Sequence, residues 1–157
     1  MTTTKELPRG VAHFRKMAAG KVKRTPMGEL LGLQLLEADK GRVVFGAHAT
    51  AAHHNTLGIA HGGLVATLLD SALGCAVNTL SPPRRVFTTL ELNVNFIRPI
   101  TDDVGPLRCE ARALHVGKRV GTAEGRVVDG RGKLYAHGTT TMIAIEPQKT
   151  RRRPRRV

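Results

Sequence analysis

Aromatic side chains are nearly missing from this chain of 157 residues. It has no tryptophan, four phenylalanines and one tyrosine. Phe14, Phe45, Phe87, Phe96 and Tyr135 are too few for a platform that stacks nucleic-acid bases, so aliphatic side chains must fill the core. Cysteine is scarce as well. Cys75 and Cys109 lie inside apolar segments, which suits buried free thiols in a reducing, cytoplasmic compartment. No apolar run reaches membrane-spanning length, and the N-terminus lacks the continuous apolar stretch of a secretory signal. That terminus is basic and acid-poor, as transit peptides are. However, Leu7, Val11, Phe14 and Ala18 follow helical spacing, which predicts a short helix packed on the domain.

Acidic residues are few relative to basic ones, and the net charge is +13. Taken whole, that figure suggests nucleic acid or an anionic membrane. Its distribution argues otherwise. Residues 1–24 hold 7 basic and 1 acidic side chains, and residues 147–157 hold 6 basic and none acidic. The stretch between, 25–146, holds 12 basic and 11 acidic side chains and is close to neutral. The sequence therefore predicts one domain over 25–146, a basic N-terminal segment and a disordered basic tail. A solvated tail is favoured over a nucleic-acid arm, because "PQKTRRRPRRV" has no apolar period.

There is no internal repeat. "LGLQLLEADKGRVVFGAHA" reads as strand, turn and strand, with Asp39-Lys40-Gly41 at the turn. A long helix from about His61 to Leu80 follows, stopped by Pro82-Pro83. "VFTTLELNVNFIRPI" alternates, which predicts Thr88, Leu90, Leu92, Val94 and Phe96 on one face. Three more strands follow, with hairpin turns at Gly117-Lys118 and Gly130-Arg131-Gly132. Hairpins favour antiparallel pairing along the last four strands. One apolar sheet face needs one cover, and one long apolar helix supplies it. The expected fold is α+β, a curved antiparallel sheet wrapped around one central helix.

That helix is apolar nearly all round. At 100° per residue its polar stripe contains only Thr67, Asp70, Ser71 and Gly74. Asp70 has no cation at neighbouring helical positions, and a carboxylate in such surroundings is costly unless something requires it. The helix starts His61-Gly62-Gly63. A helix N-terminus offers unpaired N–H groups and a positive dipole end, and glycine lets a ligand oxygen come close. For a reacting carbonyl this is an oxyanion hole. The only serines, Ser71 and Ser81, lack the setting of a serine nucleophile. His53, His54 and His61 lack a metal-ligand spacing and acidic companions, so no metal is expected.

"NTLGIAHGGLVATLLD", followed by "TTLELNVNFIRP", resembles the hotdog-fold acyl-CoA thioesterases of the phenylacetate-degradation (PaaI-like) family. The resemblance spans about residues 28–146 and rests on Asn55, Gly58, His61, Gly62, Gly63 and Asp70, then Thr88. It implies the hotdog fold, a double-hotdog dimer and often a tetramer, and acyl-CoA hydrolysis without a cofactor. It further implies that the Gly62 N–H polarises the thioester carbonyl and that Asp70 is general base or nucleophile. Asn55 would orient water or substrate, His61 would support the glycine turn, and Thr88 would help hold the water. Gly63 belongs to the same substrate-facing turn. For the phosphates of CoA the candidates are Arg84, Arg85, Arg98, Lys118 and Arg119. A hotdog hydratase and a non-catalytic acyl-CoA-binding regulator remain as alternative readings. Helix geometry adds one expectation. Gly62 and Asp70 stand roughly 12 Å apart along the axis, too far for one chain to apply both to one thioester, whereas an antiparallel pair of helices can.

Overall fold

The computed structural model describes residues 10–82 and 85–146. Its elements are α1 (Gly10–Ala18), α2 (Pro26–Leu30), β1 (Gln34–Asp39), β2 (Arg42–His48), α3 (Gly62–Asn78), β3 (Val86–Phe96), β4 (Pro106–Val116), β5 (Val120–Asp129) and β6 (Leu134–Ile145). The strands form one antiparallel sheet in the order β1-β2-β4-β5-β6-β3. The sheet wraps α3, which packs against β2, β3, β4, β5 and β6. The α+β architecture is the one that the pattern predicted.

Two expectations need correction. Hairpins join β4 to β5 and β5 to β6, but β3 does not pair with β4. The chain leaves β3 through Pro99 and a turn at Asp102–Val104, β4 pairs with β2, and β3 is left at the far edge beside β6. Nor does β3 present one continuous alternating face. Its register against β6 shifts between Thr89 and Glu91. Such a bulge inserts one residue, so the inward side changes parity across it. Phe87 and Thr89 are the covered positions before the bulge, and Leu92 and Val94 after it, while Thr88, Leu90 and Phe96 are exposed.

Leu68, Leu69, Ala72, Leu73, Ala76 and Val77 of α3 are all fully buried. Removing a leucine side chain of this kind from water stabilises the fold by roughly 1.5–3 kcal/mol. Close packing here depends on glycine in the sheet. A Cβ on Gly121 would stand 2.7 Å from Val77 Cγ1, one on Gly125 3.2 Å from Leu73 Cδ2, and one on Gly138 2.5 Å from the Asn93 carbonyl oxygen. Gly125 and Gly138 are direct cross-strand partners. With no side chains at Gly121 and Gly125, α3 lies close on the sheet, and the bare Gly138 lets β3 and β6 approach each other. The ends of α3 are tied down by side chains. Gly41, with φ 73°, turns the β1–β2 hairpin, and its N–H donates to Thr79 Oγ1 at 2.7 Å.

Gly121→Ala should therefore lower the free energy of unfolding by about 1–3 kcal/mol, because Val77 is stiff and must move. Gly130, which has nothing within 4 Å of its would-be Cβ, is the control. Gly130→Ala should stay within about 0.5 kcal/mol of wild type in urea denaturation.

Candidate active site

The first part of the site is the start of α3. His61 is its N-cap, and the Gly63 N–H donates to His61 Nδ1 at 2.8 Å. The ring thus fixes the glycine turn, and Nδ1 must be free of a proton to do so. Thr67 Oγ1 donates to the Gly63 carbonyl at 2.8 Å. With the turn held, the Gly62 N–H keeps no hydrogen-bond partner among the described residues. It opens, with the positive end of the helix dipole, on a cavity of about 440 Å³ lined by Asn55, Val65, Phe96, Arg98 and Tyr135, among others. The Phe96 ring stands over this point, and a Cβ on Gly62 would meet Phe96 Cζ at 3.1 Å.

Asn55 closes the preceding loop. Its Oδ1 accepts from the Leu57 N–H at 2.8 Å and the Ile59 N–H at 3.4 Å. The side-chain amide nitrogen has no partner among the described residues and remains available as a donor at the cavity beside Gly62. The neighbouring histidines are engaged locally. His53 Nδ1 accepts from the Thr50 N–H at 3.1 Å, and His54 Nε2 lies 2.7 Å from Asp102 Oδ1. Among the described residues no group of three or more His, Cys, Asp or Glu could hold a metal ion.

The second part is Asp70, two turns along α3. It lines a separate cavity of about 290 Å³ that runs along the helix past Ser71, Gly74, Cys75 and Asn78. Asp70, Ser71 and Gly74 of the narrow polar stripe read from the sequence thus form the floor of this cavity. Phe14 and Met17 of α1 and Phe87, Thr88 and Thr89 of β3 stand around it. No cation pairs with Asp70 among the described residues. Its hydrogen-bond partner is Thr89, whose Oγ1 donates to Oδ1 at 2.8 Å. Thr88 lines the same cavity but makes no such bond. The bulge after Thr89 puts this hydroxyl, rather than its neighbour's, against the carboxylate. Cys75 is no rival nucleophile. Burial first, and the nearby Asp70 charge second, push its thiol up to about 12, so it stays protonated at neutral pH.

Sequence reasoning also missed Asn78. It is buried, and its Nδ2 donates to the Gly74 and Phe87 carbonyls at 2.9 and 3.0 Å. Its Oδ1 accepts from the Phe87 N–H at 2.8 Å and from Ser81 Oγ at 2.9 Å. This carboxamide ties the start of β3 to the end of α3 and so sets where Thr89 meets Asp70. An Asn among apolar helical residues was the available signal, because a buried amide must find partners.

The candidate phosphate readers divide between two places. Arg85 Nη1 donates to the Lys118 carbonyl at 2.9 Å and its Nε lies 3.5 Å from Glu146, so Arg85 joins the Lys118-Arg119 turn. Arg98 instead lines the Gly62 cavity, where its guanidinium donates to the Leu134 carbonyl. Arg84 and the basic tail lie outside the described residues. Gly62 and Asp70 line different cavities of the chain. An N–H without a partner and a carboxylate without a cation among the described residues, on one helix and flanked by pockets, suit attack of water on a polarised carbonyl.

Comparison with known proteins gives the same direction. The model of the thioesterase superfamily matches residues 57–136. The chain is 25% identical to the 1,4-dihydroxy-2-naphthoyl-CoA hydrolase of Listeria monocytogenes, over 77% of this chain and 97% of that one. Its structure is similar to that of a variant of the phenylacetic acid degradation protein PaaI from Thermus thermophilus. The TM-score is 0.68 at 32% identity, over 76% of this chain and 98% of the other. PaaI of Escherichia coli shares the fold, with a TM-score of 0.75 at 23% identity over 87% of this chain and 96% of the other. The family match takes in the capped helix start, the Asp70 carboxylate and strands β3, β4 and β5, and the chain belongs to the thioesterase superfamily as a thioester hydrolase of the hotdog fold.

Proposed function

We propose that the protein is a homo-oligomeric acyl-CoA thioesterase whose sites are shared between subunits. The observation that carries this reading is the placement of the free Gly62 N–H and the cation-free Asp70 on one helix, in two separate cavities. Joining Gly62 of one subunit to Asp70 of another would complete a site that neither chain holds alone. The sheet edge supports this. Among the described residues β3 pairs only with β6, and its free side is flanked by exposed Leu90, Phe96 and Ile97. Native proteins rarely leave such an edge bare.

In this reading the thioester carbonyl oxygen accepts from the Gly62 N–H, assisted by the Asn55 amide. Asp70, oriented by Thr89, takes a proton from water as the water oxygen bonds to the carbonyl carbon. The tetrahedral adduct then collapses, the C–S bond breaks with its electron pair on sulfur, and the proton returns to the thiolate or to solvent. Direct attack by the Asp70 carboxylate, with later hydrolysis of the anhydride, uses the same groups. His61 and Gly63 hold the turn, and Thr88 stands at the water-side wall. A thiolate is a good leaving group, so no strong acid is needed. Two free cysteines fit a cytoplasmic setting, and among the described residues no helix is long and apolar enough to cross a membrane.

Four variants and one sizing measurement test the scheme. Asp70→Asn should keep the fold and cut turnover on acyl-CoA at least ~100-fold, as read by release of free thiol. Near-wild-type turnover would remove Asp70 from the mechanism. Thr89→Val should cost about ten- to a hundredfold, the ~1.5–3 kcal/mol of a hydrogen bond to a charged group, whereas Thr88→Val should cost less.

Light scattering should show at least a dimer, and a fully active monomer would contradict the shared site. For the nucleotide end, Lys118→Ala/Arg119→Ala should weaken hydrolysis of CoA thioesters selectively over thioesters of a short uncharged thiol. The wild-type enzyme should show the greater salt sensitivity on CoA. Equal effects on both substrates would show that the turn does not read CoA.

A further inference from the structure

Most interior glycines of this protein have a folding reason. Gly121 and Gly125 admit α3 to the sheet, Gly138 lets the β3 backbone approach β6, and Gly41 adopts a positive φ. Gly74 has none of these. It sits in the middle of α3, outside the set of positive-φ glycines, where glycine costs about 1 kcal/mol relative to alanine. A Cβ there would touch only Met142 Cε, at 3.5 Å, which is ordinary contact. Folding alone would therefore favour alanine.

What Gly74 does border is the cavity that begins at Asp70. It lies one turn beyond the carboxylate, between Asp70 and Asn78, a span of roughly 12 Å along the helix. The cavity is apolar where α1 and the strands close it, with Phe14, Met17, Phe87 and Met142 on its walls. Any atom added at Gly74 beyond Cβ must either displace the Met142 methyl or enter this space.

We propose that Gly74 is the position that sets acyl-group specificity, its missing side chain leaving room for the substrate's acyl portion to lie along α3 beyond Asp70. This rests on the proposed reading that Asp70 acts at the carbonyl of a thioester, and it adds that the acyl group enters the cavity beside Asp70 and which residue limits that group's size. Short acyl groups end near Asp70 and do not reach Gly74. Longer chains or rings pass over it toward the wall supplied by α1. Met17, half-buried on that wall, limits the cavity from the other side, and its flexible thioether can adjust to what enters.

The experiment is a panel of CoA thioesters graded from acetyl to decanoyl, assayed with wild type, Gly74→Ala, Gly74→Val and Met17→Ala, each also melted thermally. Gly74→Ala should hold or raise the melting temperature. Gly74→Val should lower the ratio of kcat/KM for the longest accepted substrate over the shortest by at least about tenfold, the scale of one or two misplaced methyl groups in a pocket. Gly74→Ala should move the ratio the same way by less, and Met17→Ala should move it the opposite way. These two keep the question answerable if Gly74→Val does not fold. An unchanged chain-length profile in the Gly74 variants, or equal loss on short and long substrates, would overturn the role of Gly74 while leaving the thioesterase reading intact. Absence of hydrolysis by wild type across the panel would sink that reading, and this inference with it.

Discussion

Eight residues of rigid helix separate the Gly62 N–H from the Asp70 carboxylate, and the site is organised by that spacing. A helix rises a fixed 1.5 Å per residue, so the two groups cannot be drawn together within one chain. Each instead faces its own cavity. The chemistry read from them needs both within hydrogen-bonding reach of one carbonyl and its water. A twofold pairing of antiparallel helices meets that need, because whatever one subunit offers, its partner offers in return. The exposed outer side of β3 is consistent with such a pairing.

Holding α3 in place takes two opposite uses of small residues. On the sheet side, Gly121 and Gly125 let Val77 and Leu73 settle close, so that the helix is fixed by packing. On the other side, Ser71, Gly74 and Cys75 keep material away and leave a cavity. Asn78 joins the two functions. It is buried by the first and, through Phe87, it positions the strand that carries Thr89 to Asp70. A polar side chain in a nearly apolar helix thus connects fold stability to site geometry.

What the sequence disclosed was local. The start of α3 near His61, the turn before Gly41, the narrow stripe of α3 and the three C-terminal strands follow from helical and strand periods and from turn chemistry, all within a few residues. What it concealed was non-local. Alternation along 86–96 carries no mark of the bulge after Thr89, so the hydrogen bond from Thr89 to Asp70 could not be read from it. The pairing of β3 with β6 rather than β4 depends on where β2 docks. The partners of Asn78 lie on another element and cannot be read from its own helix. The hydrogen bonds of Asn55 are close in sequence, yet they show a loop-closing duty that the motif alone did not suggest.

Subunit complementation tests the shared site most directly. Gly62→Pro removes the donor N–H at a position where proline suits the helix, His61 already having an extended backbone with ψ 135°; its ring carbons also press on Phe96, so Gly62→Ala, which makes the same contact and keeps the N–H, is the control. Asp70→Asn removes only the carboxylate. Gly62→Pro and Asp70→Asn should each be nearly inactive alone. Co-expressed in equal amounts, they should form mixed dimers in which one of two sites pairs an intact Gly62 with an intact Asp70, restoring about a quarter of wild-type thiol release. Activity of the mixture no higher than that of the separate variants, with mixed dimers demonstrated by mass, would contradict a site built from two chains.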